Sequence, residues 1–269
     1  MNSSKPRVAL FITCLGDQFF PRVGECAVEV LRRLGVDVTF DAAQTCCGQP
    51  AFNTGFREEA RQVAARVLDL FDDAEYVVAP SGSCTTMMRA FYPELFPGDA
   101  ERLRKVERLQ GRLFEFSEFL VKVLKVEDVG ARFRGRVTYH DSCHLLRELG
   151  IESEPRKLIR AVRGVEFVEM QDYQLCCGFG GTFSVKFPEV SVAMGEDKLK
   201  AALEETLGRR IRLRFEVGAS SSATLASQEK RERAEARAKT EAAFRDDPFV
   251  QDVLARFDAT VKPDSIKPL

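Results

Sequence analysis

One cysteine pattern occurs twice in the sequence, and this repetition constrains the fold more than any other feature. Cys14 precedes the triplet Cys46-Cys47-Gly48, and Cys143 precedes the triplet Cys176-Cys177-Gly178 at nearly the same interval. The second pattern begins about 130 residues after the first, and this period indicates an internal duplication. The sequence therefore predicts two copies of one structural unit, each with its own set of cysteines.

Each copy has the hydrophobic pattern of a βαβ unit. The predicted strand, helix and second strand lie at 8–12, 23–34 and 36–40 in the first copy, and at 136–137, 154–162 and 165–168 in the second. Such units form parallel sheets, so we predict an α/β fold of two pseudo-repeated parallel-sheet βαβ units. A helical connection at 93–126 joins them, and a small α+β tail follows. The predicted domains are residues 1–130, 131–203 and 204–269.

The first copy has a fourth cysteine at the end of a further strand. Residues 76–79 predict a buried strand that ends shortly before Cys84, much as the first strand ends before Cys14. Ligands of open α/β sheets collect outside the carboxyl ends of the strands. We therefore expect one site in each copy. The cysteines of the first are Cys14, Cys46, Cys47 and Cys84, and those of the second are Cys143, Cys176 and Cys177.

The chemistry of these sites follows from their thiol groups, because thiolates are soft ligands that suit zinc or iron–sulfur clusters. The C-x₂₋₄-C spacing of zinc sites and the C-x₂-C-x₂-C run of ferredoxins do not occur in the sequence. Ligands spread over about 70 residues favour a larger centre, so an iron–sulfur cluster is the leading interpretation. Zinc is one alternative, and a redox-active pair of adjacent cysteines is another. Cys26 lies outside the pattern and is predicted to be a small core residue.

The only two histidines of the chain flank Cys143. Histidine titrates near neutral pH and is a common metal ligand, so His140 and His144 are candidates for a fourth ligand or a proton relay at the second site. Asp141 is placed to orient either ring. The alternative is a structural histidine held by hydrogen bonds.

The composition excludes several functional classes. Lys and Arg number 40 against 41 Asp and Glu, which argues against a nucleic-acid binder. No apolar run reaches the roughly 18 residues of a membrane span, and the first apolar run is too short for the core of a signal peptide. Eight cysteines without a secretion signal are typical of metal or redox chemistry in a reducing compartment, so we predict a cytoplasmic protein.

The residues around the cysteines resemble those of a known family. The stretches that carry the resemblance are Phe11-Ile12-Thr13-Cys14, Thr45-Cys46-Cys47-Gly48-Gln49-Pro50, Ser81-Gly82-Ser83-Cys84, Tyr139-His140-Asp141-Ser142-Cys143-His144 and Cys176-Cys177-Gly178-Phe179-Gly180-Gly181-Thr182-Phe183. Over residues 5–203 the chain resembles the cysteine-rich CCG-domain family. That family includes the cysteine-rich component of heterodisulfide reductase, the glycolate oxidase iron–sulfur subunit and lactate utilisation protein A, and the last group is the most similar.

The resemblance implies that the cysteines hold iron–sulfur clusters, which in the heterodisulfide reductase relatives are noncubane 4Fe–4S clusters. It also implies an electron-transfer subunit in the oxidation of L-lactate, a 2-hydroxy acid, to pyruvate, acting with two partner proteins. Cubane clusters would come from a partner, because the chain has no ferredoxin motif. The family motif ends in Cys-x-x-Cys, and Ser81 stands where the first of those two cysteines would be.

The family pattern breaks off after Cys177. No cysteine follows, and residues 209–217 alternate between mostly arginine and apolar side chains, which predicts a strand with one exposed face. Residues 204–269 resemble the C-terminal region of the bacterial DNA polymerase III gamma/tau subunit. The stretches that carry this second resemblance are Leu207-Gly208-Arg209, Asp247-Pro248-Phe249-Val250-Gln251, Phe257-Asp258-Ala259 and Ser265-Ile266-Lys267-Pro268. It implies docking to DNA polymerase III subunits without nucleic-acid contact, and so a replication-associated binding module as an alternative function.

Overall fold

A computed structural model of the chain describes residues 5–214 and 250–251. These residues contain two parallel sheets, one for each copy of the cysteine pattern. The strands are β1 (Arg7–Leu10), β2 (Asp37–Thr39), β3 (Tyr76–Ala79), β4 (Leu113–Glu115), β5 (Arg132–Val137) and β6 (Arg163–Phe167). The first sheet has the order β2-β1-β3-β4, and the second pairs β5 with β6. The predicted α/β fold with parallel units is confirmed.

Helices connect the strands of both sheets. The helices of the first half are α1 (Cys14–Phe19), α2 (Pro21–Arg33), α3 (Gln49–Thr54), α4 (Arg57–Leu70), α5 (Gly82–Thr86), α6 (Tyr92–Leu95), α7 (Ala100–Gln110) and α8 (Phe116–Glu118). Those of the second half are α9 (Cys143–Leu149), α10 (Ser153–Arg160), α11 (Thr182–Lys186) and α12 (Pro188–Leu207). Two π-helical turns, Met87–Phe91 and Phe119–Val123, continue α5 and α8. None of the helices that the structure describes combines the length and the apolar character of a membrane span.

The first sheet is buried on both faces. Along β3, Val77 and Ala79 pack into a hydrophobic cluster with Val67 of α4, whereas Val78 packs into a second cluster with Leu31 of α2. This alternation follows from the pleat of a strand, and covering of both faces is typical of parallel sheets. Packing on two sides fixes where the strands end, and therefore where the cysteine-bearing loops begin.

β4 lies where the sequence predicts only helix. Its residues pair with β3 in the register Val77–Leu113 and Ala79–Glu115, and Leu113 is fully buried. Three residues are too few to show an alternating pattern, and charged helical segments stand on both sides of them. The prediction of a wholly helical connection at 93–126 was therefore wrong at this strand.

The second sheet has the two predicted strands, but the strand predicted at 209–217 is not found in its described part. Residues 209–214, the start of the predicted alternating strand, form no strand, whereas residues 215–217 lie outside the described residues. The reason is visible at Ile211, whose N–H donates to the Glu204 carboxylate of α12 at 3.0 Å. The chain thus turns back onto α12 after that helix ends. Most of the predicted tail likewise lies outside the described residues.

The two halves meet where α5 packs against α9. A Cβ atom added to Gly82 of α5 would stand 2.7 Å from Cβ of Leu145 on α9, so the close approach of these helices requires glycine. Cys84 lies in α5, and α9 begins at Cys143. This contact therefore brings the two groups of cysteines into neighbouring positions.

Candidate metal centre

Four cysteines of the first half meet at the carboxyl edge of the four-stranded sheet. Cys14 begins α1, Cys46 and Cys47 lie in the loop after β2, and Cys84 lies in α5 after β3. The sulfur atoms of Cys14 and Cys46 are 3.6 Å apart, and those of Cys47 and Cys84 are 3.3 Å apart. The structure brings these four side chains together, while their role as ligands stays a prediction.

The thiols of Cys14 and Cys46 differ in their pKa values. The Cys47 thiol, with smaller contributions from the Gly48 N–H and the Cys14 thiol, stabilises the Cys46 thiolate and lowers the pKa of Cys46 to about 6. Burial, and next the charge of Cys46, raise the pKa of Cys14 to about 11. Near neutral pH the apoprotein therefore holds a thiolate at Cys46 and a thiol at Cys14.

The thiols of Cys47 and Cys84 are buried, and their pKa values also shift in opposite directions. Hydrogen bonds from Cys47 and then from Ser81 lower the pKa of Cys84, although burial acts in the opposite direction. The hydrogen bonds of Cys47 to Cys46 and Cys84, together with its burial, raise the pKa of Cys47 well above its ordinary value. Cys47 thus keeps its proton between two sulfurs that favour the thiolate form.

Two polar side chains that the sequence analysis did not single out hold the loop of the first triplet. Gln44 accepts a hydrogen bond of 2.7 Å from the N–H of Ile12 and donates one of 3.2 Å to a carbonyl of β1. Tyr92 is fully buried, and its hydroxyl donates to the carbonyl oxygen of Cys47 at 3.0 Å. These bonds attach the loop to the end of β1 and to the core, but no local sequence pattern announces them.

The glycine of each triplet has the same conformation and the same hydrogen bond. Gly48 and Gly178 have left-handed φ angles of 85° and 81°, and each N–H donates to the sulfur of the first cysteine of its triplet at 3.4 Å. A Cβ atom would stand 3.2 Å from the Ala60 carbonyl oxygen at Gly48, and 2.5 Å from the Ser191 carbonyl oxygen at Gly178. The triplet therefore ends in glycine because of its backbone angle and because a helix lies against it.

Cys143, Cys176 and Cys177 form the second group. Cys143 begins α9 as Cys14 begins α1, and the other two lie in the loop before α11. Burial, and next the charges of Cys176 and Cys177, raise the pKa of Cys143. Cys176 is exposed and the other two are partly exposed, so this group is more open than the first.

The two histidines have separate partners. Nδ1 of His140 lies 2.9 Å from the carbonyl oxygen of Tyr173, and Nδ1 of His144 lies 3.0 Å from the amide nitrogen of Gln49. Burial, and next the charge of Lys198, lower the pKa of His140. Each ring thus has one nitrogen engaged by the protein, and its Nε2 makes no hydrogen bond to the residues that the structure describes.

Asp141 has a different partner from the predicted one. Its carboxylate is 1% exposed and accepts two hydrogen bonds from the Arg156 guanidinium, at 2.9 and 2.6 Å. Arg156 also donates to Glu169 at 3.0 Å. A bidentate, buried ion pair of this kind holds the loop between β5 and α9, which contains His140 and leads into Cys143.

Cys26 belongs to neither group. It lies on α2 and is exposed, so its prediction as a core residue was wrong. The buried residues of α2 are Ala27 and Leu31, one helical turn apart, and Cys26 lies on the neighbouring, solvent-facing side.

The donor atoms of the first group are all thiol sulfurs. Within residues 5–214 and 250–251, no three His, Cys, Asp or Glu side chains are arranged to hold a single metal ion. The first group instead offers four sulfurs in two close pairs, and two of these sulfurs favour the thiolate form. An all-sulfur donor set is typical of iron–sulfur clusters, so these residues fit such a group by their chemistry.

Comparison with known proteins places both groups in one family. Residues 8–89 and 137–211 match the family described as CCG, a cysteine-rich domain. The chain belongs to the CCG family. The match falls once on each half of this CCG protein, and each matched range contains one of the two cysteine groups.

Several curated relatives are similar over most of their length. Lactate utilization protein A of an Exiguobacterium species is 50% identical over 201 residues, which is 74% of this chain and 82% of that protein. The proteins of the same name from Geobacillus kaustophilus and Bacillus subtilis are 49% and 48% identical, over 72% and 74% of this chain and 80% and 83% of their own. The CCG match ends at residue 211, so the resemblance of residues 204–269 to a replication protein stays a prediction.

Proposed function

We propose that this CCG protein is an iron–sulfur electron-transfer subunit in the utilisation of lactate. The convergence of Cys14, Cys46, Cys47 and Cys84 carries the proposal, because four thiols at the carboxyl edge of a parallel sheet supply the ligands that a cluster needs. Relatives named lactate utilization protein A support the choice of substrate. The chain accordingly takes part in the oxidation of L-lactate to pyruvate.

The balance of that reaction implies partner proteins. Lactate loses two electrons and two protons when the carbon that bears its hydroxyl becomes the carbonyl carbon of pyruvate. A cluster bound at the cysteines would accept and donate single electrons. Partner subunits therefore have to act on lactate and carry the electrons onward, and we expect them to hold the cubane clusters for which this chain has no ferredoxin motif.

The residues of the first group divide the work of holding a cluster. Burial of Cys47 and Cys84 excludes water from one side of the site. The Gly48 N–H donates to the sulfur of Cys46, and hydrogen bonds to sulfur are a means of setting a cluster's reduction potential. A second set of ligands would consist of the three cysteines of the second group and one histidine as the fourth ligand.

Iron and acid-labile sulfide per chain, measured after anaerobic purification and reconstitution, test the proposal. Cys84→Ser removes a buried member of the first group, whereas Cys26→Ser changes an exposed cysteine on α2 and is the matched control. We expect iron and sulfide in the wild type and in Cys26→Ser, and a large loss of both in Cys84→Ser. A wild-type protein that takes up neither, or only zinc, would overturn the proposal.

A thiol–disulfide oxidoreductase is a second candidate, favoured by the distances between sulfurs. The sulfurs of Cys47 and Cys84 are 3.3 Å apart and those of Cys14 and Cys46 are 3.6 Å apart, whereas the sequence pattern points to the adjacent pairs Cys46-Cys47 and Cys176-Cys177. Oxidation of one pair would release two protons and two electrons, which a disulfide substrate would take up as it becomes two thiols. Titration of the protein's free thiols before and after treatment of the apoprotein with glutathione disulfide, with all glutathione removed before the count, would show the loss of two protein thiols for each active pair. An unchanged thiol count would exclude this activity.

A further inference from the structure

Gln49 joins the two groups of cysteines. It follows the first triplet and begins α3. Its amide nitrogen donates a hydrogen bond of 3.1 Å to the carbonyl oxygen of Ser83, next to Cys84, and lies 3.0 Å from Nδ1 of His144, next to Cys143. One side chain thereby connects the loop of the first triplet with α5 and with α9.

These partners fix the orientation of the Gln49 amide. A carbonyl oxygen only accepts hydrogen bonds, so the atom that faces Ser83 is the amide nitrogen and not the amide oxygen. The same nitrogen then donates to Nδ1 of His144, which has to be the unprotonated nitrogen of its ring. A neutral His144 therefore carries its proton on Nε2.

His140 has the opposite arrangement. Its Nδ1 faces the carbonyl oxygen of Tyr173 at 2.9 Å, so Nδ1 donates and Nε2 carries the lone pair. Metal-binding histidines are commonly held in this way, with the second ring N–H on a backbone carbonyl. The sequence offers both histidines as candidates for the same role. In the structure they differ in whether the Nε2 nitrogen carries a proton.

We propose that His144 is a positioning residue that couples the two cysteine groups through Gln49, and that His140 is the histidine with a free lone pair for a ligand or a proton. The inference rests on the proposed function and assigns separate roles to the two histidines. If Nε2 of His144 bound a metal, the ring proton would move to Nδ1 and face the Gln49 N–H at 3.0 Å, placing two donors against each other. Binding through Nδ1 would remove the bond to Gln49.

A second hydrogen bond supports the same role for His144. The hydroxyl of Thr86 in α5 donates to the carbonyl oxygen of His144 at 3.2 Å. His144 is therefore attached to the first half of the protein both by its ring and by its backbone. A residue held by two bonds at the contact of α5 with α9 is suited to fixing Cys143 relative to Cys84.

Nitrogen NMR of the imidazole rings in the reduced, iron-free protein tests the tautomers directly. The chain has two histidines, so His140→Gln assigns both sets of signals. At a pH at which both rings are neutral, we expect an unprotonated Nδ1 in His144 and a protonated Nδ1 in His140. A protonated Nδ1 in His144 would overturn the proposal, and this result does not depend on whether the protein binds iron.

Variants of the full-length protein test the positioning role. His144→Phe removes the acceptor, whereas His144→Asn keeps an acceptor oxygen near the position of Nδ1. After anaerobic reconstitution, we expect His144→Asn to retain the iron content and the EPR spectrum of the wild type. We expect His144→Phe and Gln49→Leu to change the spectrum in the same way. Equal loss of iron from His144→Asn and His144→Phe would indicate a ligand and contradict the positioning role.

Discussion

Glu115 is a buried carboxylate whose surroundings oppose its charge. One of its oxygens accepts hydrogen bonds from the N–H of Ser117 at 2.8 Å, from the Ser117 hydroxyl, and from the N–H of Glu118 at 3.2 Å. Burial nevertheless raises the pKa of Glu115, and the nearby carboxylate of Glu118 adds to this effect. The phenol of Tyr139 is a further neighbour, from the second half. The folded protein therefore holds a proton on Glu115 more tightly than the unfolded chain does.

We expect Glu115→Gln to stabilise the protein at neutral and alkaline pH. Because the folded pKa lies above the unfolded value, the stability that protonation contributes is present at low pH and is lost as the pH rises through the folded pKa. Glutamine keeps an acceptor oxygen and has no charge to bury. The expected gain in melting temperature is about 2–4 °C, the shift that 1 kcal/mol gives in a protein of this size.

Thermal unfolding between pH 4 and pH 9 measures this effect. The difference between Glu115→Gln and the wild type should vanish near the lower limit and grow as the pH rises. Glu107→Gln on the exposed side of α7 is the control and should show no such trend. A difference that is constant with pH would mean that the buried charge is not its cause.

At the scale of elements, the loop of the first triplet lies between the edge of the sheet and α4. Gly48 approaches the backbone of α4 so closely that a Cβ atom would stand 3.2 Å from the Ala60 carbonyl oxygen. Gly55 has nearly the same left-handed φ angle, 90° against 85°, but a Cβ atom there would meet nothing within 4 Å. A comparison of substitutions at Gly48 and Gly55 therefore distinguishes the cost of backbone strain from the cost of the contact with α4.

We expect Gly48→Ala to lose more stability than Gly55→Ala. A left-handed backbone angle costs a non-glycine residue roughly 1–2 kcal/mol, and both variants share this loss. Only Gly48→Ala adds the contact with α4, and the loop has to shift together with Cys46 and Cys47. Chemical denaturation and iron content of both variants measure the difference. Equal losses in the two variants would show that close packing on α4 is unimportant.

The sequence predicts the elements that have a periodic hydrophobic pattern or a counterpart in the other copy of the repeat. β1 and β3 are apolar runs before Cys14 and Cys84, so the meeting of these cysteines follows from the rule for parallel sheets. β4 has three residues and no period. Gln49 has a role only because His144, which is remote in sequence, lies beside it in the fold. Contacts of this kind depend on the packing of α5 against α9, which no local pattern contains.

At the scale of the whole molecule, the two halves are unequal. The first half has four strands and four converging cysteines, two of them buried, whereas the described part of the second half has two strands and three cysteines that are at least partly exposed. The first group, with four cysteines of which two are buried, is the stronger candidate to retain a cluster. All eight cysteines also precede Phe215, where the first of the two compact units of the chain ends.

This division predicts the outcome of removing the C-terminal segment. A variant that ends at Phe215 keeps every cysteine and the whole of the first compact unit, so we expect it to bind as much iron and sulfide per chain as the full-length protein. Binding of partner proteins should instead depend on the segment that is removed, because residues 204–269 resemble a replication subunit. Full-length protein should then retain DNA polymerase III subunits in a pull-down, and the shortened variant should not.

The two measurements answer separate questions, since one follows the cysteines and the other follows the tail. Loss of iron on shortening would mean that the C-terminal segment supports a cysteine group, and would contradict the independence of the first unit. Unchanged iron with no polymerase subunit bound by either form would remove the replication hypothesis and leave lactate oxidation. Cys84→Ser in the full-length chain is the matched control, because it should lose iron while leaving any binding by the tail intact.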